Sequence, residues 1–240
     1  MKKNRADKTR YDFKSDYSNW YNYACQFHKR NMGAKKDIYI SSQSIVEKSS
    51  HLAIVEAKAD RSSVLEIGGG GGEHIEYEEK HNDLENYHVI DLEEPFIAIL
   101  KKQYPVHALV ADAIEMPYKD SFFSTCISTS MLEHVDGLGK LLCEIKRVLI
   151  PGGDFLITVP TNGSFILNTY KRFISYPFMK RNGVTRPDYI WHYLNINSFN
   201  RILAMVNVHF HVVDEYAVPF KFLPVNLSPM YFFHCKNNKK

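Results

Sequence analysis

Five consecutive glycines, Gly68 to Gly72, follow the short run Val64-Leu65-Glu66-Ile67. Glycine has no Cβ, so such a stretch takes positive φ and lets a ligand touch the backbone. Where a buried strand runs through glycines into a helix, the unpaired N–H groups of the first turn attract an anion or a carboxylate. Asp91 lies 23 residues beyond Gly68, the interval at which an acid in nucleotide-binding units reaches ribose hydroxyls. Asp112 closes a third apolar run. His134 and His192 are the candidate proton acceptors, because histidine titrates nearest neutrality.

Alternating elements must position these groups. Apolar runs predict strands over residues 63–67, 87–90, 105–110, 123–128, 155–159, 208–213 and 231–235. Helical spacing predicts helices over 41–59, 73–82, 95–103, 135–150 and 198–205. The 135–150 stretch is the clearest, with Leu138, Leu141, Leu142, Ile145, Val148 and Leu149 on one stripe and Pro151-Gly152-Gly153 as its stop. Strands alternating with helices predict an α/β fold: a doubly wound, mostly parallel seven-stranded sheet with helices on both faces. Ligands of such sheets sit at the strand carboxyl ends where strand order reverses. The glycine run, Asp91 and Asp112 all fall on that edge.

Two segments depart from this rhythm. Residues 1–40 form a basic, aromatic arm, expected to act as a helical lid through Tyr17, Trp20, Tyr21, Ala24 and their neighbours Tyr23 and Phe27. Residues 1–36 carry ten Lys/Arg against three Asp/Glu, although the whole chain is only +3. Within the main domain, 41–240, residues 161–195 read as an insertion on the substrate side. Lys171, Arg172, Lys180, Arg181 and Arg186 face only Asp188 there, among Phe165, Tyr170, Phe173, Tyr176 and Phe178. Basic segments keep an anionic acceptor open.

At 240 residues, 45% hydrophobic and 24% charged, the chain has the composition of a globular domain. Cys25, Cys126, Cys143 and Cys235 are widely spaced, which excludes a CxxC metal site or a disulfide framework. No run is long enough to span a membrane and no apolar signal core stands at the start, so a reducing cytoplasm and no metal are expected.

The ribose-binding pattern admits two cofactors, a nicotinamide dinucleotide or S-adenosylmethionine. A dinucleotide loop needs a small third residue, yet the two reading frames from Gly68 and Gly69 place Glu73 or His74 there. No Gly-Lys-Ser/Thr follows, which excludes a P-loop. The pattern that fits is E-x-G-x-G-x-G from Glu66 to Gly72. Here the sequence resembles the class I S-adenosylmethionine-dependent methyltransferases. The likeness continues through Val89-Ile90-Asp91-Leu92, Ala111-Asp112-Ala113, Met131-Leu132-Glu133-His134-Val135 and Glu144 to Gly153, in the family's order. It departs at Ser124, where the family often has Asp, and in the additional glycines Gly69 and Gly71.

The resemblance implies roles. The backbone around Gly68, Gly69, Gly70 and Gly72 would hold the methionine moiety of the cofactor, and Glu66 would organise the loop or meet its ammonium. Asp91 would accept from the ribose, Leu92 would cover one adenine face, Asp112 would accept from the adenine amino group, and Ala113 would donate its N–H. Ser128 and Thr129 would line the methyl donor. The implied reaction is in-line displacement onto a small-molecule or glycan-type acceptor, leaving S-adenosylhomocysteine, with His134 or His192 as base or substrate contact. The Asp/Asn-Pro-Pro-Tyr/Phe of nucleic-acid amino-methyltransferases is replaced by Ser128-Thr129-Ser130-Met131, which argues against base amino groups as acceptors. A methyltransferase on other RNA positions or on protein, and a non-catalytic cofactor-binding protein, are the alternatives.

Overall fold

A computed structural model describes residues 11–30 and 38–238. The basic stretch through Arg10, residues 31–37 and the side chains of Tyr23, Ala24, Cys25 and Phe27 lie outside what is described.

Strands β1 (Val64–Ile67), β2 (Tyr87–Asp91), β3 (His107–Val110), β4 (Phe123–Thr129), β5 (Leu149–Pro160), β6 (His211–Val218) and β7 (Met230–Lys236) form one sheet, ordered β3-β2-β1-β4-β5-β7-β6. The pairs among β1 to β5 are parallel, while β7 runs antiparallel to both β5 and β6. Order reverses between β1 and β4, so the crevice at their carboxyl ends is the expected ligand edge. Both central strands are buried on both faces, which is why they read as continuous apolar runs rather than alternating ones.

Helices α1 (Phe13–Arg30), α2 (Ile38–Val55), α3 (Ile75–Glu78), α4 (Glu94–Gln103), α5 (Leu138–Val148), α6 (Phe165–Tyr170), α7 (Tyr176–Arg181), α8 (Pro187–Leu194) and α9 (Phe199–His209) complete the chain. On one face α5 and α9 bury Leu141, Ile145, Ile202 and Val206 against Phe155 and Phe233. On the other, α2, α3 and α4 bury Ile54, Ile75, Ile97 and Leu100 against Val89 and Ile127. A third cluster joins Met179, Val184 and Ile190 of the insertion to Phe13, Tyr17 and Trp20 of α1.

Three expected elements change. The 73–82 helix shrinks to α3, because Glu78 draws the chain into turns: its carbonyl accepts from His81 and Asn82, and its carboxylate from the Asn82 side chain at 2.6 Å. Pro151-Gly152-Gly153 does not stop a helix but lies within β5. Pairing with β4 there jumps from Leu149–Phe123 to Asp154–Thr125, and a Cβ on Gly153 would sit 3.0 Å from the Ser124 carbonyl. The strand expected from Val208 begins at His211 instead, since α9 runs on through His209 and buries Val206 on the stripe of Ile202.

Candidate active site

The chain turns sharply where β1 ends. Gly68, Gly70 and Gly72 take φ of 72°, 51° and 95°. Close packing fixes three of the five glycines. A Cβ would stand 2.7 Å from Met131 at Gly68, 2.2 Å from Val89 at Gly69 and 2.7 Å from Tyr104 at Gly72. Gly70 and Gly71 face only the Glu73 side chain, 3.1 and 3.0 Å from such a Cβ. Their N–H groups point to acids: Gly70 donates to Asp91 Oδ2 at 3.0 Å and Gly71 to Glu73 Oε2 at 3.0 Å. The turn thus binds carboxylate groups, and Glu73 occupies one of those positions itself.

Glu66 lies beneath this turn, 1% exposed, with its Cδ 3.8 Å from a Cβ built on Gly69. Oε2 accepts from the Tyr87 hydroxyl at 2.9 Å, while Oε1 is buried with no hydrogen-bond partner. Burial raises its pKa to about 7, against the lowering influence of His74 and the Tyr87 hydroxyl. His74 belongs to a buried chain in which its Nδ1 meets His51 Nδ1 at 3.2 Å and its Nε2 meets Glu78 at 3.2 Å. Burial and His74 hold His51 near 3.

Asp91 stands at the tip of β2. Its two oxygens accept from Gly70 and from Glu93 N–H, at 3.0 and 2.9 Å. A carboxylate oxygen has a second lone pair, so hydroxyl donors can still be received. Leu92, beside it, is 67% exposed, and Asp112 is exposed with Oδ1 accepting from Ile114 N–H at 3.0 Å. The Ala111 N–H donates to the Asp91 carbonyl at 3.1 Å, which brings the tips of β2 and β3, and Ala113 just beyond, to one edge. Ser128 Oγ is fully buried and unpartnered in β4, opposite Ile67, while Thr129 is half-buried. Ser130 then takes a φ of 49°, a left-handed turn that sends Met131 across Gly68.

His134 is held beyond this turn. Its Nδ1 lies 2.8 Å from the Leu194 carbonyl at the end of α8. A carbonyl only accepts, so Nδ1 carries a proton and Nε2 is the ring nitrogen left to exchange one. Nε2 lies 3.7 Å from the Glu133 carboxylate, whose pKa burial raises and His134 lowers in part. His192 is exposed on α8, and no bond joins it to His134. Asn197 escaped the sequence reading: its Nδ2 donates to the Leu132 and Val135 carbonyls, both at 2.8 Å, and its N–H to Glu133 O at 3.0 Å. No motif marks it, because its partners lie more than sixty residues away.

The aromatic arm reaches the same edge. Asp16 of α1 accepts from the Thr185 and Arg186 N–H groups, both at 2.7 Å, and from the Thr185 hydroxyl at 2.9 Å. Burial raises the Tyr17 phenol, and Tyr193 and Glu93 add to the rise, which sets Tyr17 near the tip of β2. Among the described residues, no group of three or more metal-ligating side chains occurs and no helix is long and apolar enough to cross a membrane.

Strand order and connections define a doubly wound α/β domain whose switch point lies between β1 and β4. Residues 65–157 match the family model of the methyltransferase domain. The match covers about two fifths of the chain, and across it the chain is similar to the methyltransferase domain, a family that implies use of S-adenosylmethionine. A tRNA (carboxymethyluridine(34)-5-O)-methyltransferase of Arabidopsis thaliana is 32% identical over 110 residues, 45% of this chain and 26% of that protein. The curated relatives it matches are covered over 15% to 53% of their own lengths. Among solved structures, an S-adenosylmethionine-dependent methyltransferase of Thermotoga maritima superposes with a TM-score of 0.63 at 15% identity, covering 92% of this chain and 99% of that one. A phosphoethanolamine N-methyltransferase of Haemonchus contortus in complex with S-adenosylmethionine gives 0.55 at 18% identity, over 79% and 52%.

Proposed function

We propose that this chain transfers the methyl group of S-adenosylmethionine to a small-molecule or glycan-type acceptor. The carrying observation is one edge that gathers a carboxylate-binding glycine turn, the Asp91 carboxylate against it, and a histidine whose Nδ1 is held by the Leu194 carbonyl. The residues fit the cofactor. Gly70 and Gly71 already bind carboxylates, the unpartnered Glu66 Oε1 suits an ammonium donor, and exposed Leu92 offers an apolar surface for a base. Asp91 would accept from the ribose, and Asp112 with the Ala113 N–H would take the adenine edge. Ser128 and Thr129 would lie beside the donor. When bound, the cofactor supplies an electrophilic methyl on a sulfonium. The chain aligns the acceptor and excludes water. His134 Nε2 takes the acceptor proton, while Leu194 and Asn197 fix the ring and its turn. α1 and the 161–195 insertion, tied together by Asp16, close over the edge as one lid.

The relative that methylates tRNA, together with the basic insertion, supports RNA as the second acceptor reading. Labelled S-adenosylmethionine, offered with separate small-molecule and RNA fractions of a cell extract, tests the choice. Label is expected in the small-molecule fraction. With His134→Ala transfer falls by about two orders of magnitude while cofactor affinity holds. Label confined to RNA and falling steeply with salt overturns the acceptor class. Full turnover in the variant removes His134 from the mechanism.

A further inference from the structure

Lys171, 6% exposed at the start of the π-helical turn Lys171–Ser175 that links α6 to α7, buries its stem while its Nζ keeps contact with solvent. Its Nζ lies 4.9 Å from the centre of the Trp191 ring on α8. Among the described residues that aromatic face is its one polar or charged contact: no ion pair and no hydrogen bond reaches the ammonium. Burial lowers its pKa. Three other shielded cations meet acids, Arg61 at Glu78, Arg147 at Glu144 and Asp120, and Lys236 at Asp154.

Buried charges are ordinarily paired, and an aromatic face offsets only part of the desolvation. Folding does not need a charge at this position, since methionine would fill the same space without it. π turns insert one residue into a helix, re-aim the side chains and recur at functional sites. The position is also informative. Trp191 lies one turn of α8 before Leu194, whose carbonyl holds His134. The Trp191 carbonyl accepts from Asn195 Nδ2 at 2.9 Å, which locks the end of this helix. The short helix α8 therefore carries both the Trp191 ring that faces the ammonium and the Leu194 carbonyl that holds the candidate base.

We propose that Lys171 is the recognition cation for the acceptor, and that the acceptor carries an oxyanion, a carboxylate or a phosphate. The ligand supplies the ionic partner that the fold withholds, and the Trp191 face bounds it on one side. Arg172, Lys180 and Arg181 on the same stretch raise the local positive potential and draw anions in. Naming this ligand the acceptor rests on the methyl-transfer reading; the anion site itself does not.

The test uses the full chain with Trp20→Phe, which leaves Trp191 as the one tryptophan. Sodium phosphate and sodium acetate are titrated at constant ionic strength against chloride, with and without S-adenosylhomocysteine, while Trp191 emission is followed. A saturable shift with either probe is expected, retained in Lys171→Arg and weakened about tenfold or more in Lys171→Met, with a melting temperature unchanged or higher. Saturation by acetate alone assigns a carboxylate, by phosphate alone a phosphate, and by both an oxyanion of either kind. No saturable response, equal saturation in Lys171→Met, or a large loss of stability in that variant overturns the proposal. Calorimetric binding of S-adenosylhomocysteine on the same samples separates the two readings. Its loss with the anion response intact defeats the methyl-transfer reading alone, and the converse defeats the anion site alone.

Discussion

Gly69 shows what a glycine run hides. The sequence offers five equivalent glycines, whereas the fold divides them. Gly68, Gly69 and Gly72 let Met131, Val89 and Tyr104 close in, and Gly70 and Gly71 present N–H groups to acids. Gly69→Ala is expected to destabilise the fold by about 1–3 kcal/mol through overpacking, read as a fall in melting temperature. Glu73 folds back onto the Gly71 N–H, where a ligand carboxylate would bind. Glu73→Ala is thus expected to tighten S-adenosylmethionine a few-fold by calorimetry, and weaker binding would show that Glu73 builds the turn rather than competes for it. Glu66 titrates near 7 when folded and near 4.5 in its ordinary state. Between those values the folded chain binds more protons, so stability falls as pH rises from about 4.5 to about 7. Glu66→Gln is expected to flatten that slope in denaturant titrations across the window. A slope unchanged by the substitution would place the titration elsewhere. The loop's place and the acids Asp91 and Asp112 were legible from spacing alone. The contacts that divide the glycines were not, because Val89, Tyr104 and Met131 come from other elements.

Among the elements, the strands that read most plainly are those whose sequence pattern and burial agree, β1, β2 and β4 in particular. The misread elements are those where a tertiary contact outweighed local preference. α9 keeps Val206 and Val208 in a helix because Ile202 and Val206 share a buried stripe. Pro151-Gly152-Gly153 looks like a helix stop and serves as a bulge, because β5 pairs Leu149 with Phe123 and Asp154 with Thr125 of β4 and the residues between must bow out. One carboxylate, Asp16, ties α1 to residues 185 and 186. Burial raises the Asp16 pKa, yet the bonds from Thr185 and Arg186 outweigh it and the net shift is downward. Asp16→Ala is expected to speed amide exchange throughout α1 while β1 and β4 keep their protection. Unchanged exchange in α1 would show that its aromatic contacts with Tyr189 and Tyr193 suffice to hold it.

At the scale of the whole molecule, the reversal of strand order between β1 and β4 brings the tips of β1, β2, β3 and β4 to one edge. That convergence was readable before any coordinates, because α/β alternation dictates where the strand tips meet. The packing of α1 on the short helices of residues 161–195 was not, since those contacts follow no repeat. His192 illustrates this: the resemblance of its segment to small-molecule members of the family pointed to the substrate side, and the structure leaves it exposed on α8. The account stands or falls on occupancy of the crevice. Calorimetric titration of the full chain with S-adenosylmethionine is expected to show one molecule bound per chain, no heat with NAD, and about tenfold or more weaker binding in Asp91→Ala as a charge-assisted bond is lost. Undiminished affinity in that variant, or binding of NAD in place of S-adenosylmethionine, would contradict it.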